Sequence, residues 1–163
     1  MARPKHVFET YIKTTPERIW EALTEPEFTR RYWGVALESD WTVGSPVTWT
    51  EGTARITHPD QQVVAYEPPR RLAYTWHTFT PEWAASTGMG DEFAAKAREE
   101  PRSTVTFDIE EADGSVKLTV THSGFPEGSI VREGCSQGWP QLLSSLKTLL
   151  ETGHVLAPAP ATA

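Results

Sequence analysis

The order of apolar and polar residues divides the chain into short strands, short helices and one long helix near the C-terminus. Residues 7–13 alternate between the two classes, which predicts a first strand. Thr15 as an N-cap and Pro16 at the first helical position then predict a short helix. A second short helix is predicted from Pro26 to a stop at Gly34.

A series of strands with one apolar face follows these helices. The turn between the last two is Asp113-Gly114, a dipeptide typical of a tight hairpin. Strands with one apolar face and short connections predict a one-sided antiparallel sheet. The predicted strands cover residues 47–50, 62–67, 72–77, 104–109 and 116–122.

The segment 79–101 interrupts this strand pattern. Residues 91–100 look helical, because Glu92 and Lys96 stand four residues apart, as ion-paired residues on one face of a helix do. Two interpretations of the segment stay open: an elaborated hairpin connection, or a mobile lid over a site.

The last predicted element is a helix from Ser129 to Thr152, with Gly153 as its C-cap. Pro140 lies inside it and removes one backbone hydrogen bond. Either the helix kinks at Pro140, or its regular part begins near that residue. A broad apolar stripe at helical spacing marks its buried side: Trp139, Leu142, Leu143, Leu146, Leu149 and Leu150.

These elements predict an α+β domain in which the long helix lies across a concave antiparallel sheet and the two short helices close one edge. The length of 163 residues suits one domain, predicted over 7–153. Residues 1–6 are predicted to be an N-terminal extension. Residues 154–163 end in an Ala/Pro-rich tail, predicted to be disordered.

Composition narrows the function classes. The net charge of −7 disfavours broad nucleic-acid binding, which needs Lys and Arg to neutralise phosphates. Cys135 is the single cysteine, no apolar signal segment opens the chain, and no stretch is long enough to span a bilayer. We therefore expect a cytoplasmic protein. The seven Trp residues suit either a bulky core or the wall of a ligand pocket.

Five motifs in order resemble the START-like superfamily of polyketide cyclases and lipid-transfer domains. Within it, the chain is most similar to the branch named after the C-terminal domain of the heat-shock protein 90 ATPase activator. The motifs are TPERIWEALT (15–24), YWG (32–34), EPPRRLAYTW (67–76), LTVTHSGF (118–125) and the GW-plus-leucine segment 138–150.

The resemblance implies a helix-grip fold with a cavity between the sheet and the long helix. It does not imply co-chaperone activity, because the proteins that gave the branch its name carry a further N-terminal domain. The chain departs from the shorter family pattern in its 79–101 segment and in Pro140.

A cavity in that position would be lined mostly by apolar side chains with a few polar tips, as small-molecule sites usually are. The alternative is a filled core made of the same residues. The predicted ligand-binding residues are Trp33, Trp49, Tyr74, Trp76, Phe107, Leu118, Val120, His122, Trp139 and Leu142.

His122 is the candidate acid–base residue, with Glu51 as a carboxylate that could orient it and Tyr74 as a third polar group. A single inward histidine is more often a hydrogen-bonded structural residue. The five histidines show no paired spacing, so no metal site is predicted. No cofactor is predicted either.

Three functions remain open at this point. The leading one is binding of a small hydrophobic or aromatic molecule. The second is an enzyme, cyclase-like or hydrolase-like, that acts on such a molecule. The third is a protein-interaction module. A monomer and a homodimer are both compatible with the sequence.

Overall fold

A computed structural model describes residues 4–156, and the predicted disorder of the Ala/Pro tail at 157–163 lies outside these residues. The described residues form eight strands and five helices. In chain order they are β1 (His6–Ile12), α1 (Pro16–Thr24), α2 (Pro26–Trp33), β2 (Val35–Ser39), β3 (Val47–Glu51), β4 (Ala54–Ile56), β5 (Val63–Glu67), β6 (Arg71–Thr75), α3 (Pro81–Thr87), α4 (Asp91–Glu99), β7 (Thr104–Ala112), β8 (Ser115–Ser123) and α5 (Ile130–Thr152).

The strands form two antiparallel sheets that are joined at one edge. The larger, curved sheet has the order β1-β8-β7-β6-β5, and the smaller has the order β2-β3-β4. Backbone hydrogen bonds from Val47 N–H to the Gln61 carbonyl (2.8 Å) and from Val63 N–H to the Ser45 carbonyl (3.0 Å) connect them. The second sheet therefore continues the wall that the first one begins.

The β7–β8 hairpin shows how the sequence pattern produces the buried face. Asp113 and Gly114 both have positive φ, 43° and 79°, as the predicted tight turn requires. This turn sets a register in which Phe107 lies opposite Val120 and Ile109 opposite Leu118. Alternate residues of both strands are buried as a result, and the α+β helix-grip prediction is confirmed.

Helix α5 runs without interruption through Pro140. Ser129 caps its start by accepting a hydrogen bond from Arg132 N–H (2.9 Å), and Gly153 ends it in the left-handed region at φ 84°. The alternative in which the regular part begins near Pro140 is therefore wrong. Pro140 itself is exposed, while Trp139 and Leu142 on the opposite side are buried and hold the helix against the sheet.

The segment 79–101 forms two helices, one of which was not predicted. Helix α4 agrees with the predicted 91–100. Helix α3 has the same start signal as α1: Thr80 caps it through Trp83 N–H (3.0 Å), with Pro81 at the first position. Its seven residues are too few to show a periodic apolar stripe. For residues 4–156, no helix combines the length and apolar character that a membrane crossing requires.

Candidate functional site

The ten predicted ligand-binding residues lie together in the core of the domain, and each is at most 3% exposed. Their rings pack directly on one another. The ring centroids of Trp49 lie 5.1 Å from those of Trp33 and 5.0 Å from those of Trp76, and the Trp76 and Trp139 centroids are 5.8 Å apart. Aromatic rings at 4.5–7 Å are in favourable contact, so these side chains stabilise one another.

A small void lies within this cluster. The void bordered by Trp76, Cys135, Gly138, Trp139 and Leu142 measures about 10 Å³. That is roughly the room for one water molecule, far below the ~300 Å³ at which small-molecule sites begin. At this void, the space between the sheet and the long helix is filled by side chains.

His122 is a fully buried member of the cluster with both ring nitrogens hydrogen-bonded. The indole N–H of Trp139 donates to its Nδ1 (3.0 Å), and the Oγ of Ser103 lies 2.8 Å from its Nε2. Burial, followed by the charges of His6 and His77, lowers the pKa of His122 from 6.5 to about 3. The imidazole is therefore neutral at physiological pH.

Glu51 has a different partner from the one the catalytic hypothesis required. Its Oε1 accepts a hydrogen bond from the indole N–H of Trp83 (3.2 Å), at the junction of β3 and α3. The two ring nitrogens of His122 are hydrogen-bonded to Trp139 and Ser103 rather than to Glu51. The third member, Tyr74, is packed between Trp49 and Phe107, and burial raises its pKa well above the usual value.

A larger cavity of about 410 Å³ lies at the end of the sheet, beyond β6. We call it the end cavity. Residues 76–79 and 97–103 supply most of its wall, and the loop after β4 and the start of α5 close the sides. Its lining residues are His58, Asp60, Trp76, His77, Thr78, Phe79, Ala97, Arg98, Glu100, Pro101, Arg102, Ser103 and Val131.

Aromatic rings and guanidinium groups both occur among the groups that line the end cavity. The ring of His77 packs at a tilt against both Trp76 (ring centroids 5.7 Å apart) and Phe79 (4.5 Å). Arg102 donates to the Trp76 carbonyl (2.8 Å), and Arg98 donates to the Phe79 carbonyl. Burial lowers the pKa of Arg102 from its usual value of 12.5, an effect that Asp60 opposes, and the group stays a cation at neutral pH.

Of the ten predicted binding residues, only Trp76 lines this cavity as well. It stands between the 410 Å³ space on one side and the 10 Å³ void on the other. Arg98, Arg102 and Ser103 were not predicted as site residues. The signal that could have found them is the departure of this connection from the shorter family pattern, since connecting segments often carry functional residues.

A five-stranded antiparallel sheet gripping a long C-terminal helix defines the helix-grip class of the START-like superfamily. Residues 13–151 match the model of the family described as "Activator of Hsp90 ATPase homolog 1-like protein". The chain belongs to this family. A search among curated proteins found no match.

Solved structures agree with this fold. A protein from Mesorhizobium loti is 26% identical, with a TM-score of 0.70 over 90% of this chain and 96% of that one. The Aha1 dimer from Colwellia psychrerythraea is 21% identical, with a TM-score of 0.67 over 92% of this chain and 98% of that one. CalU16 from Micromonospora echinospora is 19% identical, with a TM-score of 0.65 over 97% of this chain and 71% of that one.

Proposed function

We propose that the protein binds a small aromatic molecule in the end cavity. The observation that carries this proposal is that the rings of Trp76, His77 and Phe79 line the same 410 Å³ space as the guanidinium groups of Arg98 and Arg102. A volume of this size lies within the ~300–1,000 Å³ of small-molecule sites. Flat ring surfaces with a few fixed polar groups are the composition such sites share.

The rigidity of the ring wall supports binding by a preformed surface. Trp76 packs against Trp49, Trp139 and His122, whose ring centroids lie 4.5–5.8 Å away. Its backbone N–H also donates to the Ser103 carbonyl (2.9 Å). A ligand that contacts this wall would order few side chains on binding, so little conformational entropy would be lost.

A binding role has more support than a catalytic one. An acid–base histidine needs a ring nitrogen that can reach the substrate and a pKa near the working pH. His122 has both nitrogens hydrogen-bonded to protein groups and a pKa of about 3. It is better suited to hold its neighbours in place than to exchange protons with a substrate.

The proposal can be tested with the fluorescent probe 8-anilinonaphthalene-1-sulfonate, which carries two aromatic groups and one anionic group. We expect saturable binding at one site, with quenching of the tryptophan fluorescence. Ala97→Phe should weaken it at least tenfold, because Ala97 on α4 is buried and lines the cavity. Ala95→Phe, on the exposed side of the same helix, is the matched control.

Unfolding temperatures of both variants identify any general loss of structure. If Ala97→Phe folds and binds the probe as tightly as the parent protein does, the end cavity is not the site. Weak binding that does not saturate would also contradict the proposal.

A further inference from the structure

Ser103 is the more buried of the two hydroxyl-bearing residues that line the end cavity, the other being Thr78. It is 4% exposed, lines the cavity, and stands immediately before β7. Its carbonyl accepts from Trp76 N–H (2.9 Å), which fixes its backbone beside the ring wall. Gly124, at φ 90°, lies beside the same backbone, and a Cβ added to it would be in ordinary contact with the Cα of Ser103 at 3.5 Å.

The two hydrogen bonds that link Trp139, His122 and Ser103 can have only one arrangement of donors and acceptors. An indole N–H is a donor and never an acceptor, so the Nδ1 of His122 that receives the Trp139 N–H carries no proton. A neutral imidazole then has its proton on Nε2. The Nε2–H of His122 consequently donates to the Oγ of Ser103 at 2.8 Å.

This direction leaves the hydroxyl proton of Ser103 available to a further acceptor. Within residues 4–156, His122 is the one hydrogen-bond partner found for the Ser103 Oγ. A buried hydroxyl that donates to nothing costs free energy, and an acceptor brought by a ligand would recover that cost. The end cavity is the space beside Ser103 that can admit such a ligand.

The charged groups nearby also favour an acceptor on the ligand. Glu100 lines the cavity, but both its oxygens are engaged, by Ser129 O–H (2.5 Å) and Ile130 N–H (2.8 Å) at the start of α5. Asp60 is electrostatically coupled to Arg102. The Arg102 guanidinium donates one hydrogen bond to the Trp76 carbonyl and carries further N–H groups.

We infer that Ser103 is a ligand-binding residue, and that the ligand is an aromatic molecule with an acceptor oxygen beside its ring. Trp139 and His122 act as positioning residues, since they orient the Ser103 hydroxyl as a donor. The inference rests on the proposed function. A ketone and a carboxylate share this acceptor chemistry, and the experiment below distinguishes them.

The test uses a matched pair of probes, 2-acetylnaphthalene and 2-ethylnaphthalene, which have nearly the same shape and differ in the carbonyl oxygen. We expect the acetyl compound to bind about tenfold more tightly, the effect of one hydrogen bond of about 1.4 kcal/mol. Ser103→Ala should abolish this preference, because the acetyl compound then loses its hydrogen-bond donor and binds no more tightly than 2-ethylnaphthalene. Ser145→Ala, equally buried on α5 and outside the cavity wall, is the control that should keep the preference.

A third probe, 2-naphthoate, separates the two acceptor classes. Tighter binding than the acetyl compound indicates a carboxylate ligand paired with Arg102, and weaker binding indicates a neutral carbonyl; either result supports an acceptor. Equal affinity for the acetyl and ethyl compounds in the parent protein overturns the inference but leaves the proposed function standing. Failure of every naphthalene probe to bind overturns both.

A spectroscopic readout tests the role of the positioning residues independently of Ser103→Ala. The ¹⁵N NMR shifts of the His122 ring should show the Nε2–H tautomer in the parent protein. Trp139→Phe removes the donor to Nδ1, so we expect the Nδ1–H tautomer to become populated and the preference for the acetyl compound to fall. An Nδ1–H tautomer in the parent protein would overturn the inference even if this variant or Ser103→Ala fails to fold.

Discussion

The indole N–H of Trp83 lies 3.2 Å from Oε1 of Glu51 and donates a hydrogen bond to it in a buried setting. Ser86, one turn further along α3, donates to the backbone carbonyl of the same glutamate (2.8 Å). These two contacts fasten α3 to the end of β3. Because α3 begins the 79–101 segment, they also help to position the wall of the end cavity.

Loss of the Trp83–Glu51 hydrogen bond should destabilise the protein measurably. Trp83→Phe leaves the carboxylate of Glu51 without this donor, at a cost of about 1–3 kcal/mol beyond the loss of ring contacts. A double-mutant cycle with Glu51→Ala, measured by urea unfolding, isolates the interaction free energy of the Trp83–Glu51 pair. Glu51→Gln keeps an acceptor oxygen and should cost less than Glu51→Ala; a coupling energy near zero would contradict the assignment.

Glu100 should contribute to stability by capping α5 from outside the helix. Its carboxylate accepts from Ser129 O–H and Ile130 N–H at the positive end of the helix dipole. We expect Glu100→Ala to lower the free energy of unfolding by about 1–2 kcal/mol. The neighbouring, exposed Glu99 provides the control, since Glu99→Ala should change the free energy of unfolding little. Equal losses in the two variants would argue against the cap.

His122 should make the protein less stable as the pH falls. Its folded pKa of about 3 lies below the ordinary value of 6.5, so the unfolded chain binds more protons between these two pH values. The contribution of His122 is complete above about pH 6.5 and is lost progressively below it. Between pH 6.5 and 5 the free energy of unfolding should fall by about 2 kcal/mol.

Urea unfolding across this pH range checks the effect of His122. His122→Asn should flatten the slope, because asparagine does not titrate. His154→Asn, in which the replaced histidine is exposed, should leave the slope as it is. A parent-like slope in His122→Asn would show that other groups cause the pH dependence.

Cys135 should be unreactive in the folded protein. It is buried on α5, and burial raises the pKa of its thiol to about 12. Since the thiolate is the reactive form, we expect no labelling by iodoacetamide at pH 8 and complete labelling in concentrated urea. Mass spectrometry after a short pulse measures both. Fast labelling of the native protein would mean that the start of α5 opens readily.

The elements that the sequence predicted well carry their own local signals. Helix α5 has an apolar stripe and a Gly153 stop, and both have the predicted roles. It also begins where it was predicted to, directly after Ser129. The β7–β8 hairpin follows from alternation and the Asp113-Gly114 turn. Each of these signals acts between residues that are close in the chain, so it can be read without knowing the fold.

The parts that were missed depend on residues far apart in the chain. Strands β2 and β4 are short, and they are held by their pairing with β3. The Trp139–His122–Ser103 connection joins α5, β8 and the residue before β7. No local pattern shows that Ser103 is buried or that His122 has two partners, so the sequence favoured Glu51 as its orienter.

The position of β1 has a consequence for how the chain folds. β1 pairs with β8, so His6, near the start of the chain, lies opposite His122, which comes much later in the sequence. Such pairing has a high contact order, and closing so long a loop costs entropy before the contacts repay it. During synthesis, the first strand must therefore wait for β8 to leave the ribosome before the sheet can close.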